Sequence, residues 1–176
     1  MASKSRTIAR TEIERTVQAS LLDRLTDLEP TVSTDPSVSR ATSARIFRGT
    51  VQRDVEMLLN TRRTTIPAPE DCPEVHRSVH EFGLQDITSV SAGTDAGRDE
   101  ILSAMQDAIE RFEPRLSDAR ISLIENDVKP TPSLRFVLEA TLLMDPDPER
   151  VVFDTVLEVT SGEYDVRGSD DPSTTD

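Results

Sequence analysis

Cys72, His76 and His80 are the first residues whose types could do chemistry, because one thiolate and two imidazoles form an acceptable zinc ligand set. They recur at every fourth position, which would place all three on roughly one face of a helix. However, positions eight residues apart lie about 12 Å from each other along the helix axis, and Pro73 disfavours helix at Cys72. At most two ligands would remain, so we expect no metal site.

Paired carboxylates offer a second kind of chemistry. Glu110 and Glu113 lie three positions apart on a predicted helix, so they could be imagined as a general acid and a general base. A raised acid pKa needs an apolar pocket, but the chain has no Trp, one Tyr and five Phe with which to build one. The sequence also has no Gly-rich phosphate loop and no GxSxG motif. We therefore expect neither an enzyme nor a cofactor.

The tripeptide Glu113-Pro114-Arg115 lies where the clearest predicted helix gives way to the first predicted strand. Proline fixes the backbone, so the flanking Glu and Arg take a set orientation, and Arg can bond a carboxylate through two donors. One interpretation is a helix stop flanked by solvated charges. The other is a point of contact with another molecule, and these residues alone do not decide between the two.

Composition narrows the class of partner. The 176 residues include 33 Asp or Glu and 20 Lys or Arg, a formal net charge of -13, whereas nucleic acid requires a basic surface. No run approaches the roughly 20 apolar residues of a membrane span, and the first residues lack the apolar core of a signal peptide. A single cysteine fits a reducing compartment. We expect a cytoplasmic protein that binds other proteins, with no nucleic acid and no membrane span.

Charge is unevenly distributed along the chain. Residues 40–63 hold six Arg against Asp54 and Glu56, a local +4, whereas residues 145–176 hold ten acidic residues against two Arg, a local -8. One explanation is a basic helix presented to an acidic patch on a partner or on a second copy. The other is a helix with ordinary solvated charges and an acidic tail.

Helical periodicity covers the first two thirds of the chain. Ser20 can cap a short helix, and the apolar period after residue 45 predicts a second helix over about 45–61. A third, short helix is predicted between Asp71 and Gly83, with Val75, Val79 and Phe82 along one side, and the clearest helix runs from about residue 99 to Pro114. The segments 29–44 and 88–97 are rich in loop-forming residues and predict loops.

Beyond Pro114 the apolar period changes from 3.6 to two. The segments 119–124, 134–142 and 151–158 alternate and predict three strands, and a turn at 161–162 would return a short fourth strand. The short, proline-rich connections suit antiparallel neighbours. We therefore predict an α+β domain in which N-terminal helices pack on one face of a C-terminal antiparallel meander of three to four strands.

The two ends of the chain are predicted to lie outside this domain. Residues 1–16 lack a sustained period and predict a flexible arm, and residues 168–176 contain no apolar side chain and predict a disordered acidic tail. Residues 17–167 form the predicted domain.

Five segments, in their order and spacing, resemble the TssE family of type VI secretion baseplate subunits. They are SLLDRL at 20–25, VQRDVEMLLNTRR at 51–63, FGL with Asp86 at 82–86, EPR at 113–115 and FDTVL at 153–157. TssE proteins are similar to a baseplate wedge protein of contractile phage tails that is often labelled lysozyme-like. The resemblance covers roughly residues 17–167.

The resemblance implies a structural wedge subunit without enzymatic activity or cofactor, seated beside TssF and TssG in a baseplate docked near the inner membrane. From there it would help contractile sheath assembly to start, and sheath subunits would be further partners that dock on an exposed sheet edge. The family's Glu-Pro-Arg would hold wedge subunits together, and the arginines at the end of the basic helix would extend that contact. The interface residues expected on this basis are Glu113, Pro114, Arg115, Asn60, Arg62 and Arg63.

Two alternatives remain open. A phage tail or an extracellular contractile injection particle has a baseplate of the same kind. The lysozyme-like label of the phage relatives suggests a second alternative of another class, a peptidoglycan hydrolase, which the sequence disfavours.

Overall fold

The computed structural model describes residues 16–18, 20–26, 31, 38–86, 90, 92–124, 133–145 and 147–168. Its helices are α1 (Leu21–Leu25), α2 (Arg40–Asn60) and α3 (Asp95–Phe112), with single 3₁₀ turns at Val75–Arg77 and Val79–Glu81. Its strands are β1 (Leu116–Ile124), β2 (Ser133–Leu142), β3 (Glu149–Glu158) and β4 (Glu163–Gly168). The predicted arm, apart from residue 16, and the predicted tail, apart from Gly168 at the end of β4, lie outside the described residues.

The four strands form one antiparallel sheet in the order β1-β2-β3-β4. This confirms the predicted α+β fold, including the fourth strand. Along β2, alternate side chains from Phe136 to Leu142 are buried, because the pleat turns every second residue towards the helices. The buried residues of α2 and α3 belong to the same core cluster as that face of the sheet. The core therefore lies between the helices and the sheet.

Both long helices begin earlier than predicted, because Ser and Thr act there as helix caps. The Ser39 hydroxyl accepts a hydrogen bond from the Thr42 N–H, and the Thr94 hydroxyl accepts one from the Gly97 N–H. Each hydroxyl satisfies one of the free N–H groups of a first helical turn. The predicted loops are therefore wrong from residue 40 in the first case and from residue 95 in the second.

The predicted short helix between Asp71 and Gly83 is wrong. Ser78 has extended backbone (φ -94°, ψ 177°) and separates the two 3₁₀ turns, while its hydroxyl accepts from the His80 N–H. The side chains therefore do not share one face, and Val79, predicted to lie along one side with Val75 and Phe82, is 86% exposed. A Ser that bonds the local backbone competes with helix formation here.

A β-bulge interrupts β1 next to its start. The register passes from the pair Ser117–Thr141 to the pair Arg120–Glu139, so that two residues of β1 face one residue of β2. Asp118, one of the two, has a φ of 53°. The bulge turns the Ala119 carbonyl outwards, where it accepts a hydrogen bond from the Gln106 side chain of α3 at 2.6 Å.

The segment after α2 is closed into a loop by a short clasp between residues 61–63 and 83–84. The Leu84 N–H donates to the Thr61 carbonyl at 2.8 Å, and the Arg63 N–H donates to the Leu84 carbonyl at 2.7 Å. Gly83 makes the clasp possible, since its φ is 101° and a Cβ atom there would lie 2.3 Å from the Thr61 oxygen.

We expect Gly83→Ala to lower the free energy of unfolding by about 2 kcal/mol or more, because the side chain adds both backbone strain and a clash with a bonded carbonyl. Gly49→Ala is the matched control: Gly49 lies within α2 with open space around it, so alanine should stabilise by about 0.5–1 kcal/mol. Urea unfolding monitored by circular dichroism measures both. Equal effects of the two variants would contradict the role of the clasp.

Candidate functional site

The predicted contact tripeptide forms the corner between α3 and β1. Glu113 is the C-cap of α3, where its N–H donates to the Ile109 carbonyl at 2.9 Å and its own carbonyl accepts from the Leu116 N–H at 3.0 Å. Pro114 cannot continue the helix and is exposed at the apex. The corner turns the Glu113 side chain inwards, and the residue is only 4% exposed.

The Arg115 side chain folds back onto this buried carboxylate. Its Nε and Nη2 donate to the two oxygens of Glu113, each at 2.5 Å, and Nη2 also donates to Asp54 Oδ2 of α2 at 2.8 Å. The guanidinium also lies 6.0 Å from the centroid of the Phe47 ring. Hydrogen bonding to Glu113 raises the pKa of Arg115 further above its ordinary value, desolvation opposes the rise, and Asp54 adds to it. Arg115 therefore carries a permanent charge shared between two carboxylates of its own chain.

The ion pairs continue from the corner to the N-terminal segment. Arg53 donates to Asp54 Oδ1 at 3.1 Å and to Asp23 Oδ1 of α1 at 2.9 Å. The Ser20 hydroxyl, which caps α1, donates to Asp23 as well. We call the set Glu113, Arg115, Asp54, Arg53 and Asp23 the corner network. It joins α1, α2 and the α3–β1 corner, although Asp23 and Arg115 lie 92 positions apart in the sequence.

The corner matches neither interpretation in full. Glu113 and Arg115 are not solvated charges beside a helix stop, since they bond each other and Asp54. The Arg115 side chain nevertheless remains 24% exposed, and its bonds use Nε and Nη2, which leaves Nη1 with no partner among the described residues. The corner can therefore accept one more carboxylate at its surface.

Asn60, a further predicted interface residue, serves the sheet instead of the corner. Its amide donates to the Tyr164 carbonyl and accepts from the Tyr164 N–H, both at 2.8 Å. Gln52, two turns earlier on α2, donates to the Val166 carbonyl at 2.8 Å. These two side chains occupy the outer edge of β4 as a neighbouring strand would.

Arg62 and Arg63 belong to the loop clasp. The Arg63 guanidinium donates to Glu81 at 3.0 Å, and Arg62 lies 3.6 Å from Asp86 with 64% of its side chain exposed. The structure thus distributes the six predicted residues over three separate sets of contacts: the corner, the β4 edge and the clasp. Six residues of helix, about 9 Å, separate Asp54 from Asn60.

Most arginines of the basic segment are paired inside the molecule. Arg40 bonds Asp147 at 2.8 Å and Arg48 lies 3.4 Å from Glu149, both in the acidic C-terminal part. The positive charge of α2 is therefore largely neutralised by carboxylates elsewhere in the fold. Arg45 is exposed and has no ion pair within the described ranges. This favours the explanation by ordinary helix-face charges for most of the helix.

The residues considered for catalysis or metal binding are not gathered into a site. Both oxygens of Glu113 accept from Arg115, and exposed Glu110 accepts from the Gln106 side chain at 2.5 Å. His80 Nε2 lies 3.0 Å from the Ile66 carbonyl. Within the part of the chain that the structure describes, no three His, Cys, Asp or Glu side chains are placed to hold one ion. No helix in the described ranges is long and apolar enough to cross a membrane.

Sequence analysis missed Asp54, which bonds Arg115, and Gln52, which joins Asn60 at the outer edge of β4. Asp54 carried a signal, because it is one of only two acidic residues in the segment of six arginines. Gln52 carried none, since a polar side chain on a helix surface does not reveal that a strand edge lies opposite.

We expect Arg115→Met to lower the free energy of unfolding by about 2–4 kcal/mol, because it leaves the charge of Glu113 buried without its partner. Arg150→Met is the control: Arg150 pairs with Glu139 at 2.7 Å, but the two side chains are 73% and 46% exposed, so the loss should stay below about 1 kcal/mol. The double variant Glu113→Gln/Arg115→Met should recover part of the loss. Urea unfolding provides the measurement, and similar losses for both single variants would contradict a buried pair.

Docking of α1 should depend on pH in the acid range. Hydrogen bonds from Ser20 and then Arg53 hold the pKa of Asp23 below its ordinary value of 3.8. A depressed acid pKa stabilises the folded state above the ordinary value, and this contribution is lost as the pH falls through the folded pKa. NMR titration of the Asp23 carboxyl should show α1 docked at pH 5–7 and released below about pH 3.8. Ser20→Ala should move the midpoint upwards, and an unchanged midpoint would exclude this contact.

Comparison with known proteins identifies the family. Residues 46–147 match the model of the family described as "Baseplate wedge protein gp25". Among solved structures, a chain of "The baseplate complex from the type VI secretion system" aligns with 15% identity and a TM-score of 0.40, over 61% of this chain and 94% of that one. No curated protein sequence matches significantly. The family match spans more than half of the sequence and confirms the predicted resemblance to baseplate wedge subunits of the TssE type, so this chain belongs to the gp25 family of baseplate wedge proteins.

Proposed function

We propose that this baseplate subunit is the TssE-type wedge component of a type VI secretion system, where it acts by assembly and not by turnover. Family membership supports the baseplate role, and the five segments shared with TssE proteins support the type VI assignment. On this proposal it lies in the cytoplasm within a baseplate docked near the inner membrane. Its partners there are TssF- and TssG-like wedge proteins, and it helps sheath assembly to start.

One observation carries the assembly role: three of the five TssE-like segments meet in the corner network. Asp23 comes from the first segment, Arg53 and Asp54 from the second, and Glu113 and Arg115 from the fourth. A network of this kind fixes the backbone around the exposed Pro114. A pre-organised surface loses less entropy on association than a flexible one, which is what a subunit acting by contact requires.

The proposed wedge interface comprises the exposed parts of the corner and of the clasp. Pro114 lies at the corner apex, and Nη1 of Arg115 is open to a partner's carboxylate. Arg62 has most of its side chain in solvent and only a long ion pair to Asp86. Glu113, Asn60 and Arg63 are engaged inside the chain, so on this proposal they shape the interface and the other three residues contact the partner.

The proposed docking edge for a sheath strand is that of β1. Gln52 and Asn60 occupy the outer edge of β4, and Gln106 occupies the β1 edge only at the bulge. No other described element bonds the backbone of residues 120–124 on the outer side of β1. Unpaired N–H and C=O groups of this kind accept an additional strand.

Co-purification with TssF- and TssG-like proteins tests the wedge interface. We expect Pro114→Asp and Arg62→Glu to reduce recovery of the partners at least tenfold, because each places a negative charge where the proposal puts a partner's carboxylate. Neither change touches a buried contact, so the melting temperature should move by less than about 2 °C. Arg115→Ala should reduce recovery too, but with a clear loss of stability.

The matched control is Arg150→Glu, which reverses an exposed charge on the opposite face of the sheet. Its recovery of partners should equal that of the natural chain. Normal recovery with both Pro114→Asp and Arg62→Glu would exclude the proposed surface. Complete absence of partners with the natural chain would contradict the TssE assignment itself.

Two alternatives are a phage tail or extracellular injection particle and a peptidoglycan hydrolase. One observation tests each of them. Neighbouring genes for a membrane complex and an ATPase indicate a type VI system, whereas capsid genes indicate a phage. Clearing of a cell-wall suspension by the purified protein, abolished by Glu113→Gln, would instead support hydrolysis. The bonding of both Glu113 oxygens to Arg115 gives no reason to expect it.

A further inference from the structure

Helix α1 is attached to the fold with its polar side inwards. At about 100° per residue, Leu21, Leu22 and Leu25 lie within one third of the helix circumference, and Asp23 lies on the opposite side. Asp23 faces α2, with a side chain only 15% exposed, whereas the leucines are 71%, 72% and 74% exposed. An amphipathic helix on an isolated globular domain has the reverse orientation.

Specific polar contacts hold α1 in this orientation. Asp23 bonds Arg53 of α2 at 2.9 Å, and just before α1 the Val17 N–H donates to the Ser43 hydroxyl of α2 at 3.0 Å. The Val17 side chain packs against the core cluster. Since five residues of helix are unstable alone in water, these contacts are what presents the three leucines to solvent.

Two further exposed apolar side chains lie on the face of α2 to which α1 is bonded. Ile46 and Met57 are 51% and 56% exposed, and at about 100° per residue they share this face with Arg53. Five of the nine exposed large apolar side chains in the described ranges thus belong to α1 or to the face of α2 that binds it. Ile46 and Met57 lie about 16 Å apart along the axis of α2, the length of three turns of helix. We call Leu21, Leu22, Leu25, Ile46 and Met57 the leucine strip.

Cations flank the leucine strip, although the whole chain has a net charge of -13. Arg24 of α1 and Arg45 of α2 are exposed and have no ion pair with any described residue, and Arg53 is 62% exposed. The two carboxylates that bond Arg53, those of Asp23 and Asp54, are both largely covered. The complement of such a surface is an apolar stripe with acidic margins.

We propose that the leucine strip is a docking surface for an amphipathic helix of another baseplate subunit, one whose apolar stripe is flanked by Asp and Glu. The length of about three helical turns along α2 matches a helix, the exposed leucines supply the apolar contact, and the flanking arginines set its orientation. The identity of the partner as a baseplate subunit rests on the proposed function, whereas the chemistry of the surface does not. The strip is continuous with the corner network through Arg53, so partner and corner would be engaged together.

The first test compares serine variants of the full chain in co-purification with TssF- and TssG-like proteins. Leu21→Ser/Leu22→Ser/Leu25→Ser should reduce recovery at least tenfold with an unchanged circular dichroism spectrum of the core. Ile66→Ser is the matched control, because this side chain is 68% exposed and lies on the loop closed by the clasp, outside the leucine strip. The control should recover the partners within twofold of the natural chain. Natural recovery with the triple variant would overturn the proposal.

The second test does not depend on those partners. A photoreactive benzophenone amino acid is placed at Leu22, or at Val79 as a control, in the cells that produce the protein, and cross-linked peptides are identified by mass spectrometry. We expect Leu22 to cross-link to a helical segment with an apolar stripe and acidic flanks, and Val79 not to reach that segment. Cross-linking of Leu22 only to a second copy of the chain, to an uncharged or basic segment, or to nothing would overturn the proposal.

Together the two tests separate this proposal from the proposed function. If the natural chain recovers neither TssF- nor TssG-like protein, the TssE assignment fails, and the cross-link from Leu22 still decides whether an acidic-flanked helix docks on the strip. If the partners are recovered equally with the triple serine variant, the wedge function stands and the leucine strip has no part in it.

Discussion

The bidentate pair between Arg115 and buried Glu113 is the interaction on which the rest of the site depends. Pro114 follows Glu113, the C-cap of α3, and the two flanking side chains come together across the corner. The shared guanidinium then holds Asp54, and through Arg53 the N-terminal helix. A charge in so covered a position is tolerated only when it has its partner, so the buried pair ties the corner firmly to α2, while the more exposed Arg53 attaches α1.

This dependence explains why short, scattered segments carry the resemblance to a family. The motif around Asp23, the one around Asp54 and the Glu-Pro-Arg are far apart in sequence but adjacent in space. The clasp does the same for a second pair of segments, since Arg62 lies near Asp86 and Gly83 touches Thr61. What the sequence shows as separate motifs is in each case the set of contacts that fixes one tertiary junction.

The fold was largely predictable from the sequence, and the contacts of the site were not. Alternation in the strands and the 3.6 period of α3 report burial directly, so the sheet and its order followed from them. The starts of α2 and α3 were misplaced, since Ser39 and Thr94 have the composition of loop residues and the function of caps. Periodicity could not supply the partners of Arg115, because it places a residue on a face of its own element but says nothing about which charge stands opposite.

The amide groups of Gln52 and Asn60 make the two edges of the sheet different. They bond the outward-facing backbone groups of Tyr164 and Val166, as a fifth strand would, so this stretch of β4 cannot pair with another strand. Identical copies therefore cannot join edge to edge through β4 into an endless ribbon. On the proposed function, a sheath strand could therefore be added only at the β1 margin, and assembly from one margin alone would have a single direction.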